Sequence, residues 1–356
     1  MRFSLLSICI LVLVSCKKES EEVNQAQTPD WETYQLKGEV EQLVVQYQYE
    51  VREIENLPFR VMKERNETLT FDTQGQLTSS VTYNEDGSIF EKRLFQGKHK
   101  LLEYQQFLNG ALFFKTNYTW ESDDNTIIVK RDAQGAIQDK TIQVFRNGLF
   151  VEKRNYGPGG TQLNQKTEFE YDEKGLKILE RKFDRNQNLK TQTKFMYNAE
   201  GQLTAEATSD RLGTYLLETH YSYDKSGRLT ATRNFSSSME KPDYEEVKDY
   251  DEEGLLNYTK SIDHIQGEQF LEMYVYDEQK RAIETKTYVN EQLKSSMENR
   301  YNDEGFLAET KSIVNDHTHY AQREYTFDEH GNWISQKVSM NGVFVYQINR
   351  TITYFK

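Results

Sequence analysis

Apolar and polar residues alternate along most of this chain, and turn signals interrupt the alternation at a regular interval. Before several of the turns stand two aromatic residues at positions i and i+2, as in Phe195 with Tyr197 and Tyr325 with Phe327. Such pairs share one face of a strand, and charged residues in other strands, as in Glu309-Thr310-Lys311, are expected to point the other way. A spacing of two predicts β-strands, and the spacing typical of helices is absent from the sequence.

The turns follow one motif, in which an aromatic residue and Asp or Asn are followed by two variable residues, Gly, one more variable residue and an apolar residue. The clearest copies are Tyr171-Asp172 with Gly175, Tyr197-Asn198 with Gly201, Tyr223-Asp224 with Gly227, Tyr250-Asp251 with Gly254, Tyr276-Asp277, Tyr301-Asn302 with Gly305, and Phe327-Asp328 with Gly331. The steps between the leading aromatic residues are 26, 26, 27, 26, 25 and 26 residues. So regular a period indicates one structural unit stacked many times.

The chemistry of the motif is that of a β-hairpin turn. The Asp or Asn side chain accepts a hydrogen bond from a backbone N–H two residues on, and the Gly supplies the positive φ that closes a four-residue loop. Weaker turns lie half a period away at Asn109-Gly110, Asn147-Gly148, Gln266-Gly267 and Asn341-Gly342, with poorer turn residues at 184–189, 211–216 and 290–293. Each unit of about 26 residues is therefore two strands and two turns.

The repeat predicts an all-β fold, a long antiparallel β-meander of stacked hairpins. Earlier copies at Phe71-Asp72, Tyr83-Asn84 and Arg131-Asp132 extend it over residues 70–345, with degenerate units in 90–165. Roughly twenty strands that twist by about 20° each do not form a flat ribbon. We expect an open spiral, a half-shell or a wide barrel, built as a single elongated domain over residues 39–356, with the alternating segment Val40 to Val51 as its first strand.

The start of the chain resembles a bacterial lipoprotein signal. Arg2 precedes an apolar stretch, and Leu13-Val14-Ser15-Cys16 is similar to a lipobox. We expect residues 1–15 to be a signal peptide and Cys16 to carry acyl chains such as palmitate, which hold the protein to a membrane. An ordinary secretory peptide with an incidental Cys is the alternative. Residues 16–38 are expected to be the lipidated Cys and a flexible tether, whose early acidic residues resemble a surface-export tag or serve as a solvated spacer.

The composition fits a thin, two-sided sheet. Hydrophobic residues make up 36% of the chain and aromatic residues 13%, with 23 Tyr that can cover a half-exposed face while their hydroxyls stay hydrated. The net charge of −13 disfavours nucleic acid as a partner. Cys9 leaves with the signal peptide and Cys16 carries lipid, so the mature protein is expected to have no disulfide.

One copy of the motif, Tyr221-Ser222-Tyr223-Asp224-Lys225-Ser226-Gly227-Arg228-Leu229, looks like the YD repeat of the RHS family. Phe327 to Trp333 is similar to another form of that repeat. In large family members the repeats coil into a hollow β-shell around a toxin domain. The resemblance implies the sheet architecture here and not toxin delivery, because the Asp-Pro-x-Gly-Leu core motif is missing and no toxin domain is expected after the strand at 351–355. The shorter MORN repeat is the runner-up.

No catalytic motif appears in the sequence. His317 and His319 share one strand face near Asp316 and could hold a metal, but two His on an exposed strand usually have no function; we expect no metal site and no cofactor. The aromatic rows are expected to be the buried face of the hairpins. The alternative is a stacking platform for sugars or peptides that uses the exposed rings Trp120, Tyr156, Tyr215, Tyr244 or Tyr320.

We expect a monomeric protein anchored by lipid in the outer membrane of a Gram-negative bacterium, on its surface or periplasmic face. Its expected role is protein binding or scaffolding in the envelope, through a sheet edge or the concave face, without catalysis. One alternative is a cell-surface glycan-binding lipoprotein. A third hypothesis, a hydrolase, would place a site in the degenerate repeats at 90–165.

Overall fold

The computed structural model of the protein describes residues 30–50, 64–97, 100–121, 125–236, 241–314 and 316–356. The expected signal peptide, Cys16 and most of the expected tether lie outside these residues. None of the helices in the described ranges is long and apolar enough to cross a membrane.

The described residues form a short helix, a 3₁₀ turn (Pro158–Gly160) and 24 β-strands. In chain order the elements are α1 (Asp30–Thr33), β1 (Val40–Tyr49), β2 (Glu67–Phe71), β3 (Leu77–Tyr83), β4 (Ile89–Gln96), β5 (Lys100–Leu108), β6 (Ala111–Glu121), β7 (Asn125–Asp132), β8 (Ile137–Arg146), β9 (Leu149–Tyr156), β10 (Leu163–Tyr171), β11 (Lys177–Phe183), β12 (Leu189–Tyr197), β13 (Leu203–Asp210), β14 (Tyr215–Tyr223), β15 (Leu229–Phe235), β16 (Tyr244–Tyr250), β17 (Leu256–Asp263), β18 (Glu268–Tyr276), β19 (Ala282–Val289), β20 (Gln292–Tyr301), β21 (Leu307–Val314), β22 (His317–Phe327), β23 (Trp333–Met340) and β24 (Val343–Tyr354).

The 24 strands form one closed antiparallel barrel. Each strand pairs with the next along the chain, and β1 pairs with β24 from Val40 opposite Tyr354 to Tyr49 opposite Tyr346. This confirms the predicted all-β meander and selects the wide barrel among the three expected forms. The expectation that an end strand could add a strand from a partner is wrong for the described sheet, because closure pairs both end strands.

The repeat turns have the geometry that their sequence predicts. At Asp224, one carboxylate oxygen accepts from the backbone N–H groups of Ser226 and Arg228, each at 2.9 Å. Gly227 has a φ of +81° and donates its N–H to the Asp224 carbonyl at 3.0 Å. Lys280 occupies the corresponding position of another repeat with a φ of +63°, a conformation that is costly for a residue with a side chain.

Successive turns alternate between the two ends of the barrel. The seven motif turns that begin at Tyr171, Tyr197, Tyr223, Tyr250, Tyr276, Tyr301 and Phe327 follow even-numbered strands and lie at one end, together with the turn after Phe71; we call this the YD end. The turns after Tyr83 and Arg131 follow β3 and β7 and therefore lie at the opposite end. The motif thus occurs at both ends in the first part of the array, and from Tyr171 onward its copies lie at the YD end.

The strand register separates an inner wall from an outer wall. Along β22 the exposure alternates, with Arg323, Tyr325 and Phe327 half-buried and the residues between them exposed. Inside a closed barrel side chains converge, so the less exposed aromatic face is the inner wall. At about 4.8 Å per strand, 24 strands give a circumference of roughly 115 Å and a diameter of roughly 37 Å. Side chains do not fill so wide a lumen.

The motif tyrosines link each repeat to the one before it. Six of them donate a hydroxyl hydrogen bond of 2.7 to 3.1 Å to a backbone carbonyl in the preceding unit: Tyr171 to Phe150, Tyr197 to Lys177, Tyr223 to Leu203, Tyr250 to Leu229, Tyr276 to Leu256 and Tyr301 to Ala282. Each acceptor follows the preceding turn by two residues. Phe327 has no hydroxyl, and Tyr325 donates to the Leu307 carbonyl at 3.1 Å instead. We call this series the tyrosine ladder.

The apolar core is concentrated where β1 meets β2 and β24. Val40, Leu43 and Leu69 are fully buried there, and Phe71 and Leu36 are nearly so. Burial of one such side chain contributes about 2 kcal/mol. Trp31 and Tyr34 pack on the same cluster. Residues 30–38, expected in the flexible tether, are therefore folded onto the barrel, because their few apolar side chains find a preformed apolar surface.

Residues 30–38 also join the two sides of the closing pair of strands, and we call them the N-terminal latch. On one side Asp30 donates its N–H to the Gly75 carbonyl at 2.9 Å and accepts from the Leu77 N–H at 2.5 Å. On the other, the Asn332 side chain accepts from the Lys37 N–H at 2.7 Å and donates to the Lys37 carbonyl at 2.9 Å. The latch thus reaches from the turn after β2 to the turn before β23.

We expect Asn332→Ala to lower the free energy of unfolding by about 3 kcal/mol, because Asn332 is 1% exposed and its loss leaves buried latch groups without partners. Chemical denaturation measures the change. Gln202→Ala is the matched control, since Gln202 follows Gly201 as Asn332 follows Gly331. Amide exchange should accelerate in β1 and β24 and stay unchanged in β12 and β13. Equal destabilisation by both variants would show that the latch has no special role.

We expect Tyr223→Phe to lower the free energy of unfolding by about 1 kcal/mol, because the Leu203 carbonyl loses the hydroxyl donor while the ring remains. Tyr320→Phe is the control on the outer wall, where the ring is 53% exposed. Denaturation of the two variants side by side measures the difference. If Tyr223→Phe lowers the free energy of unfolding no more than Tyr320→Phe does, the tyrosine ladder does not stabilise the barrel.

Candidate functional site

The five rings that the sequence suggests as a stacking platform do not share one surface. Tyr215 is 63% exposed, Tyr320 53% and Trp120 38%, while Tyr156 and Tyr244 are half-buried. Tyr320 and Tyr156 belong to the outer wall, and Trp120 lies on the inner wall at the YD end. Since the five rings lie on different strands and walls, they form no common platform.

The two candidate metal-binding histidines have different surroundings. His317 is exposed at the start of β22, whereas His319 is 8% exposed on the inner wall, opposite Ser312. Asp316 lies in the turn before them. Within the described ranges no group of three or more His, Cys, Asp or Glu is arranged to hold a metal ion.

A depression on the inner wall, which we call the lumen pocket, encloses about 240 Å³ across β11 to β14. Its floor is formed by short side chains, with Thr193 paired to Thr208 and their hydroxyls 2.8 Å apart. Longer side chains stand around this floor. The depression arises because threonines occupy inner-wall positions next to aromatic and charged residues.

Charged residues line the sides of the lumen pocket. Glu180 accepts from Lys177 at 3.2 Å and from Lys182 at 3.1 Å, so one carboxylate joins two ammonium groups. The Lys177 ammonium also lies 4.1 Å from the centre of the Phe195 ring, a cation–π contact. Opposite Phe195, Glu206 accepts from the Tyr221 hydroxyl at 2.8 Å.

The electrostatics favour binding over proton transfer. Burial would raise the pKa of Glu180, but the hydrogen bonds and charges of Lys182 and Lys177 outweigh burial and lower that pKa below its ordinary value. A general acid near neutral pH needs a raised carboxyl pKa. Burial and then the hydrogen bond to Glu206 raise the pKa of Tyr221. Glu180 is therefore an ionised partner of the lysines and is poorly suited to donate a proton.

These pocket residues are not apparent from the sequence. Because charged residues alternate with aromatic residues in most strands, the pattern predicts the outer wall for them. The bulge after each repeat turn shifts the register between Tyr171 and Lys177, so simple alternation from the turn misplaces the next strand. The bulge itself places these residues: it sets Lys177 opposite Tyr171 and Glu180 opposite Phe169, so both lie on the aromatic face.

The two ends of the barrel differ in surface chemistry. Exposed acidic residues occupy the turn tips of the YD end, at Glu173, Glu200, Glu252, Glu253, Glu278, Asp303, Glu304 and Glu329. The opposite end instead carries exposed apolar side chains, which we call the apolar rim: Leu108, Leu212, Tyr215, Leu216, Ile265, Leu293 and Val343. Leu212 is 78% exposed and Ile265 is 74% exposed, the two highest exposures among the rim residues.

Three solved structures are similar to this chain at low identity. A Photorhabdus luminescens Tc holotoxin pore has 12% identity and a TM-score of 0.41, with 81% of this chain and 16% of that chain covered. A TcdB2-TccC3 complex has 14% identity and a TM-score of 0.36, with 81% and 20% covered. A porin-like protein from Bacteroides vulgatus has 12% identity and a TM-score of 0.24, with 89% and 98% covered. This chain thus spans a fifth or less of the toxin chains.

No curated protein matches the sequence. The RHS Repeat family model matches residues 197–238, which hold the hairpin from Tyr197 and the hairpin from Tyr223. The same motif, turn geometry and tyrosine ladder continue on both sides of this segment. Residues 197–238 therefore carry an RHS repeat, and the copies of the motif on both sides of that segment are similar to it.

Proposed function

We propose that this protein is a lipid-anchored scaffold of a Gram-negative envelope, which binds a partner protein at the apolar rim of its barrel. The observation that carries the proposal is the set of exposed apolar side chains at five described turns of one end, those after β5, β13, β17, β19 and β23. Such side chains on a rigid scaffold are typical of interaction surfaces. Glycan binding is a second candidate, favoured by the lumen pocket.

The orientation of the chain supports a protein as the occupant of the rim. Asp30 contacts Gly75 in the turn after β2, so the chain enters the barrel at the YD end. Cys16 precedes Asp30, and a lipid on Cys16 would attach the protein from that side. The apolar rim would then face away from the membrane, where an apolar surface of another protein can cover it.

The proposed role involves no catalysis. The fold of stacked hairpins suits a structural role, and the carboxylates in the lumen pocket are held by lysines and by a tyrosine hydroxyl. Closure of the sheet also removes strand addition as a mode of recognition for the described strands. Binding therefore falls to the turns at the ends and to the inner wall.

Lipidation is tested with the two cysteines of the chain. We expect Cys16→Ser to abolish incorporation of labelled palmitate and to move the protein from the detergent phase to the aqueous phase, since the acyl chains attach at Cys16. Cys9→Ser is the matched control and should keep the label, because Cys9 is removed with the signal peptide. A labelled Cys16→Ser protein would refute the anchor.

Partner binding is tested by photo-crosslinking in cells from position 212 on the rim and from position 196 on the outer wall. We expect one protein to crosslink from 212 only. Binding of that purified protein should weaken about tenfold or more on Leu212→Glu with Ile265→Glu, since a charge would then be buried in an apolar contact. Met196→Glu, at a side chain 45% exposed, should have no effect.

Three outcomes would contradict partner binding at the rim. Equal crosslinking from both positions would show that contact is unspecific. Equal loss of affinity on Met196→Glu would show that charge anywhere on the surface matters. Crosslinks only to a second copy of the chain would make the rim a self-association surface.

A further inference from the structure

We propose that the lumen pocket binds one uncharged sugar ring of a glycan. This role is separate from partner binding at the apolar rim, and neither depends on the other. It rests on the charge balance, the hydrogen-bonding groups, the size and the accessibility of the pocket.

The charges of the lumen pocket balance. Lys177 and Lys182 supply two positive charges, and Glu180 and Glu206 supply two negative charges. Both ammonium groups already contact the Glu180 carboxylate. An anionic ligand would have to compete with Glu180 for the two lysines. A cationic ligand would be repelled by the two ammonium groups. A neutral ligand avoids both costs.

The polar groups of the pocket suit a ligand that donates and accepts at many positions. Each ammonium has three donors, so both lysines keep donors beyond the bond to Glu180. Glu206 supplies acceptors, and the hydroxyls of Thr193 and Thr208 can do either. Sugar hydroxyl groups also both donate and accept. Phe195 and Leu217 give the C–H groups of a sugar ring apolar surface to contact.

The size and accessibility of the pocket fit one ring of a chain. Its volume of about 240 Å³ is below the roughly 300 Å³ at which pockets for larger ligands begin. The side chains of Lys177 and Lys182 are 33% and 49% exposed, so solvent reaches the pocket from the lumen. The lumen, roughly 37 Å across at about 4.8 Å per strand, leaves room for the rest of a glycan.

The test uses saturation-transfer NMR and calorimetry on the full chain in detergent. The neutral probes are maltotriose, cellotriose and chitotriose; sialyllactose is the anionic probe and the glucosamine trimer is the cationic probe. We expect at least one neutral trisaccharide to bind and both charged probes to bind more weakly. Thr208→Leu fills the floor and should abolish binding. Thr285→Leu is the matched control, because Thr285 lies on the inner wall opposite Tyr274 and away from the pocket.

Glu206→Gln is a second variant that keeps the shape of the pocket and removes one charged acceptor. We expect it to lower the affinity for the trisaccharide about tenfold, the usual effect of losing a charged hydrogen-bond partner. This variant decides the matter if Thr208→Leu does not fold. The proposal is overturned if no neutral probe binds, if a charged probe binds best, or if Thr285→Leu reduces binding as much as the pocket variants. Rim crosslinking is unaffected by any of these outcomes.

Discussion

The barrel depends on one long-range pairing, that of β1 with β24. The other described strand pairs join neighbours in sequence, and closing their short loops costs little entropy. The last pairing instead joins segments at opposite ends of the chain. The deepest apolar burial lies at this place, around Leu43 and Leu69, and the N-terminal latch crosses it. The chain thus concentrates its strongest packing where the entropic cost of pairing is largest.

Much of the fold can be predicted from the sequence because its determinants are local. Asp224 and Gly227 determine their turn through bonds within five residues, and the period then predicts the meander. Closure is different, since it depends on curvature accumulated over all strands. The sequence does not predict the latch either. Trp31 and Leu36 are isolated apolar residues in a polar stretch. Asn332 occupies the position after the motif Gly, which holds a different residue in most repeats.

Less of the candidate site can be predicted. The aromatic residues of the motif are placed on one face by alternation, as the inner wall shows. The charged residues of the lumen pocket are not, because the bulge after Tyr171 places Lys177 and Glu180, three positions apart, on the same face. The apolar rim is a third case. Leu212 and Ile265 stand in the sequence as isolated apolar residues in two separate turns, and the alternation of turns places both at the same end of the barrel.

Because of the tyrosine ladder, every repeat joins the barrel wall through the same contact and adds the same width to it. The acceptor of each tyrosine is supplied by the preceding unit at the same position after its turn, so an added or removed unit meets the same partner. Two strands at about 4.8 Å each correspond to roughly 10 Å of circumference. Gene duplication or loss of whole units could therefore change the bore of this protein in fixed steps, while the latch and the closing strands stay the same.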